Sequence, residues 1–146
     1  MSDVPPSLGA DDLRRIARSA RGSAAMHPGC ACRELHCPGW ESLPAAFDAR
    51  QLVRLGRVAA RPELPFDPYA EPTLEEFHPG GTRYESPDAP IAVGHFPYNR
   101  CEAWACGACG RAFLRYTEYG GYYVDARIRE LDDEALVADT APPAAG

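Results

Sequence analysis

A chain of 146 residues with a 45% hydrophobic fraction and a formal net charge of −6 has the make-up of a globular protein, with room for one domain and a modest core. No run approaches the roughly 18 apolar residues of a membrane-spanning helix. The opening MSDVPPSLGADDLRR places acids where a secretory leader needs basic residues and has no apolar stretch behind them, so the expected location is the cytoplasm, with no membrane partner. The chain contains no lysine, and all 15 basic residues are arginine, a usage that fits a GC-rich bacterial genome. Residues 1–62 carry nine Arg and six acids, a net of +3, and the remainder six Arg and fifteen acids, a net of −9. An acidic chain repels phosphate backbones, which disfavours nucleic acid as a partner.

Residues 1–9 read as a flexible lead, followed by a single domain over 10–131. Within it, Asp11–Arg21 has the spacing of a short amphipathic helix, with Leu13, Ile16, Ala17 and Ala20 on one side and Arg14, Arg15, Arg18 and Arg21 around the rest as a solvated face. Asp11 and Asp12 suit its first turn and Gly22 its end. Residues 26–47, MHPGCACRELHCPGWESLPAAF, are loop-like and cannot build a core unaided; a metal is the simplest agent to order them. Residues 48–60 read as a short helix or the start of a strand, with Leu52, Leu55 and Val58 as candidate buried positions. The proline- and acid-rich residues 61–90 form a long loop, with at most one helical turn at Thr73–Phe77, where Thr73 and Glu76 match a capping box.

From Ile91 the composition favours strand, with Phe96, Tyr98 and Trp104 suited to a pleated, half-buried surface. Arg111–Tyr119 and Tyr122–Arg129 flank Gly120-Gly121, a strong two-residue turn signal. Closure there pairs Tyr119 with Tyr122, Thr117 with Val124 and Phe113 with Ile128. It turns Phe113, Val124, Ala126 and Ile128 to a core and Leu114, Tyr116, Glu118, Tyr123, Asp125 and Arg127 to the other face. The tail, 132–146, reads as a helical turn followed by disorder.

The six cysteines, Cys30, Cys32, Cys37, Cys101, Cys106 and Cys109, cluster in two segments. In a reducing compartment that pattern points to metal ligands before disulfides; a secreted disulfide protein is the alternative. Trp104-Ala-Cys106-Gly-Ala-Cys109-Gly-Arg-Ala-Phe113, a Cys-x-x-Cys pair followed by glycine between two strands, resembles the knuckle of the zinc-ribbon class over about residues 100–130. That resemblance implies a metal-binding mode and no particular activity. A closed site needs two further ligands, and Cys37-Pro-Gly looks like half of a second knuckle. The expected set is therefore Cys32, Cys37, Cys106 and Cys109 around a structural Zn2+. Cys30 is the main alternative, His27 or His36 can replace a thiolate, and Cys101 is expected to pack in the sheet.

The expected fold class is α+β: a small zinc-ribbon-like antiparallel sheet with a C-terminal hairpin, an N-terminal short helix and long irregular loops. No catalytic residue emerges. A zinc deaminase needs a glutamate two residues beyond its first ligand and a Pro-Cys-x-x-Cys, but Glu102 directly follows Cys101 and Ala105 stands in the proline's place. A thioredoxin-like pair needs a βαβ setting that is absent around Cys106. A four-thiolate site leaves no open position for water. The expected role is a protein-interaction module of accessory, adaptor or immunity type, with Tyr116, Tyr123, Leu114 and Arg127 as its candidate surface. The alternative is an enzyme with its site beneath residues 61–90.

Overall fold

The computed structural model describes residues 6–26, 29–59, 86–95, 97–119 and 122–139. The expected turn at Thr73–Phe77, the residue His27 and all but residues 86–90 of the long loop lie outside that set. Among the described residues, no helix is long and apolar enough to cross a membrane.

The first helix, α1 (Ala10–Ala25), buries Leu13, Ala17 and Ala20 and half-buries Ile16, as the spacing predicts. It does not stop at Gly22. Its last turn is docked instead, because the Ser23 hydroxyl donates to the Cys109 carbonyl at 2.7 Å. Nor are its arginines merely solvated. Arg14 donates to the Val137 carbonyl, Arg18 pairs with Glu134 at 2.7 Å, and Arg21 reaches the Asp132 carbonyl. These contacts fasten the helix to a 3-10 turn at Glu134–Leu136, in the expected tail.

The strands are β1 (Ser7–Leu8), β2 (Glu41–Ser42), β3 (Leu52–Val58), β4 (Ile91–Ala92), β5 (Glu102–Cys106), β6 (Ala112–Tyr119), β7 (Val124–Glu130) and β8 (Val137–Ala138). Six of them form one sheet in the order β1-β3-β5-β6-β7-β2, antiparallel except for β1 on β3; β4 and β8 make a separate parallel pair. The fold is thus one helix against a mostly antiparallel sheet, an α+β arrangement. A 3-10 turn, Ala49–Gln51, leads into β3, and a second, Tyr98–Arg100, interrupts the stretch expected to be strand.

The β6–β7 register differs from the expected one. Tyr119 pairs with Val124, Thr117 with Ala126 and Phe113 with Glu130, a shift of two residues. Because side chains alternate with period two, an even shift leaves each on its expected face. What changes is which face is buried, since both are covered near the knuckle. On one side Ala112, Leu114 and Tyr116 pack with α1, Trp40 and Leu131; on the other Phe113 and Ile128 pack with Leu35, Phe47 and four cysteines. Leu114 and Tyr116 are therefore core residues and cannot present a partner surface with Tyr123 and Arg127. Val124, expected to face a core, is exposed at the far end of the pair.

Arg129 is the only charged side chain among the fully buried ones described. Its guanidinium donates to the Pro87 and Ala89 carbonyls, at 3.1 and 2.8 Å, and to the Tyr98 hydroxyl. That hydroxyl also accepts from the Trp40 indole at 3.2 Å, and the Trp40 ring meets Tyr116 edge-on. Burial pushes the Tyr98 phenol up to about 12, so it stays neutral. Buried polar groups are tolerated when hydrogen-bonded, and this network ties residues 87–89 and Trp40 to β7.

Candidate metal centre

Cys106 ends β5 and Cys109 follows within the turn that leads to β6. The Cys106 carbonyl accepts from Gly110 N at 2.9 Å, and the Cys106 amide donates to the Arg111 carbonyl at 2.8 Å. Gly110 has φ +83°, and a Cβ there would lie 2.5 Å from the Ser23 hydroxyl. Both facts demand glycine. Gly110→Ala is expected to destabilise the protein by about 1–3 kcal/mol through backbone strain at that residue. Adding Ser23→Ala should remove the closer contact, with the hydroxyl, but leave the one at 2.9 Å with the Ser23 Cβ as well as the backbone penalty. Denaturant titration of both variants checks this, and an unchanged midpoint for Gly110→Ala would contradict it.

Across from the knuckle, a 3-10 turn at Ala31–Glu34 is preceded by Cys30 and contains Cys32. The thiols of Cys30, Cys32, Cys106 and Cys109 all lie within 4.8 Å of one another, the last three buried. Cys30 Sγ is 3.6 Å from Cys106 Sγ, and Cys32 Sγ is 3.3 Å from Cys109 Sγ. All six cysteines are free thiols, and these separations far exceed a disulfide bond of about 2.05 Å. They match another geometry: four sulfurs each about 2.3 Å from a tetrahedral ion stand about 3.8 Å apart. The four residues can hold a metal ion with no position left for substrate.

Three of the four expected ligands are brought together; Cys37 is not among them, and Cys30 stands in the cluster instead. The reason is local. The Cys37 carbonyl accepts from Glu130 N at 2.8 Å, which ties this residue to β7, and β7 lies two strands from β5, about 10 Å away at ordinary strand spacing. The Cys37 side chain is buried, and burial, followed by the nearby Glu130 charge, pushes its thiol up to about 12. Cys101 packs in the core as expected, its thiol donating to the Pro97 carbonyl at 3.1 Å. His36 is exposed.

The sulfurs are surrounded by N–H donors. Although burial works against it, backbone amides of Cys109 and Ala108, with the Cys30 and Cys109 thiols, bring Cys106 down to about 7. Burial raises Cys32 and Cys109. Arg111 N lies 3.5 Å from Cys109 Sγ. Four thiolates around a divalent cation carry a net charge of about −2, and a cation stands beside them. The Arg111 guanidinium is 3.6 Å from Cys32 Sγ, and it also donates to the Cys32 carbonyl at 2.7 Å and the Leu35 carbonyl at 3.0 Å. Its other edge forms a two-pronged pair with Glu130 at 2.8 and 2.9 Å, and that pair holds it in the charged form. Arg111 thus joins the Cys30–Cys37 segment to β7 from a position just after the knuckle. Spacing arguments single out thiols and imidazoles and pass over it; its only sequence signal is its place directly after Gly110.

No protein-family model matches the chain, and no curated protein or solved structure matches it.

Proposed function

We propose that Cys30, Cys32, Cys106 and Cys109 hold one structural zinc ion in a zinc-ribbon-like site, and that the protein is a small cytoplasmic module whose work is to bind another protein. The observation that carries the first half is the convergence of four thiols from two segments more than 70 positions apart in sequence. Tetrahedral four-sulfur sets suit zinc or iron, and zinc is preferred because the Cys106-x-x-Cys109 knuckle between two strands resembles the zinc-ribbon class. The ion's part is to cross-link, supplying through coordination the order that residues 29–40 cannot obtain from a core of their own. Around it, Arg111 orients Cys32, and backbone amides stabilise the thiolate of Cys106.

Support for the interaction role comes from the distal end of the sheet. Tyr122, Tyr123 and Val124 are consecutive, and all are exposed, Tyr122 fully. Adjacent exposed apolar side chains at the rim of a folded domain are a common mark of a contact surface, and tyrosine is enriched at such surfaces. Replacing Tyr122 and Tyr123 together by serine is expected to abolish capture of a partner by in-cell cross-linking while leaving zinc stoichiometry at one per chain. Unchanged cross-linking would reject this surface.

A further inference from the structure

The face of the sheet that carries the zinc cluster is covered at the knuckle end only. Beyond the cluster, alternate residues of β3, β5, β6 and β7 floor an open groove of about 340 Å³, lined by Arg57, Arg100, Glu102, Trp104, Arg115 and Thr117 among others. Register explains the composition. Glu102 lies directly between Arg57 and Arg115 across three strands, and Arg54 lies beside Trp104. Glu102 is already engaged, because it pairs with Arg54 at 3.2 Å.

Arg115 is the unusual member. It is partly buried, and its guanidinium sits 4.6 Å above the centre of the Trp104 ring. It makes no ion pair with a carboxylate among the described residues, and burial weakens its hold on its proton. A guanidinium held over an indole ring retains N–H groups that can bind a carboxylate by two parallel hydrogen bonds.

We infer that this groove receives an acidic side chain of a protein partner, with Arg115 as the residue that reads it. The proposal rests on the interaction reading above and names the chemistry of the partner. Two observations favour a carboxylate on a peptide over a nucleic-acid phosphate. First, the chain carries −6 overall, so a polyanion with a charge at every unit would be repelled beyond the groove, whereas a single acidic side chain would not. Second, the groove floor continues through Thr117 and Ala126 to the exposed Val124, which shares their face. An apolar residue near the acid would cover Val124, and a phosphodiester chain offers nothing that would.

The test uses the zinc-loaded full chain and a fluorescein-labelled peptide with one glutamate and a nearby leucine among glycine and serine, read by fluorescence anisotropy. A peptide with glutamine for glutamate and an oligothymidylate serve as the other arms. Saturable binding of the acidic peptide alone is expected. Arg115→Gln should weaken it by about tenfold or more, the usual scale for losing a charge-assisted bidentate contact. Arg115→Lys should fall between, because it keeps the charge without the fork. Zinc content and thermal transition should not move in either variant. Equal binding by Arg115→Gln, no binding of the acidic peptide, or tighter binding of the oligothymidylate would each overturn the assignment. If the groove fails while cross-linking still depends on Tyr122 and Tyr123, the interaction reading stands without it; if both fail, that reading falls as well.

Discussion

Cys30→Ser is expected to lose the metal and leave the chain largely unfolded at ambient temperature, whereas Cys37→Ser keeps one metal ion and folds. Sequence spacing alone favours the opposite assignment for these two cysteines. Structural zinc contributes on the order of 10–16 kcal/mol in apparent binding free energy, while whole domains are stable by only about 5–15 kcal/mol. Removing one of four ligands therefore removes a quantity comparable to the entire stability. Cys37 lies outside the four-thiol group, buried among Leu35, Phe47 and Ile128, so its replacement exposes only a poorly matched hydroxyl to an apolar setting, at about 1–3 kcal/mol. Metal analysis with circular dichroism of the two variants decides between the assignments, and equal metal loss would contradict the difference drawn here.

The second large effect concerns Arg111. Its side chain and that of Glu130 are 13% and 19% exposed and 2.8 Å apart. Truncating one member of a buried ion pair leaves the other charge without a partner, a loss of about 3–5 kcal/mol. Arg111→Ala also frees the Cys32 and Leu35 carbonyls beside the cluster. The expected result is a fall in the urea midpoint larger than that of any surface substitution, together with faster metal release to a chelator. Arg111→Lys should rescue little, because the side chain uses Nε and both terminal nitrogens on separate partners and an ammonium cannot reproduce that fork. In a double-mutant cycle with Glu130→Gln, coupling near zero would show that the pair does not clamp the segment.

The parts of the fold legible in sequence are those with a period or a motif long enough to carry information. The apolar stripe of α1 and the Cys-x-x-Cys turn fall into that group, as do the burial of Leu52 and Val58 on β3. The strands β1, β2, β4 and β8 have two residues each, too few to express an alternation; β1 and β2 form against the longer β3 and β7, while β4 and β8 pair with each other. The β6–β7 register differs by two residues from the one that a two-residue turn at Gly120-Gly121, outside the described residues, would set, and because an even shift keeps every side chain on its face, apolar alternation does not tell the two registers apart. Sequence could not foresee that the face holding Leu114 and Tyr116 would meet a helix nearly a hundred residues earlier in the chain. The choice of Cys30 over Cys37 has the same origin. A short 3-10 turn sets the direction of Cys30 and Cys32, while a main-chain bond to β7 draws Cys37 off, and neither is encoded in cysteine spacing.

The groove and the exposed tip lie on the sheet whose opposite end carries the four-thiol cluster, so the proposed zinc centre would underlie both. X-ray absorption at the zinc edge of the purified protein measures it directly. The expected spectrum has one zinc per chain with four sulfur neighbours at about 2.3 Å and no nitrogen shell. A spectrum requiring histidine nitrogen, or metal-free protein with all six thiols reactive and an unchanged thermal transition, would contradict the cross-linked architecture.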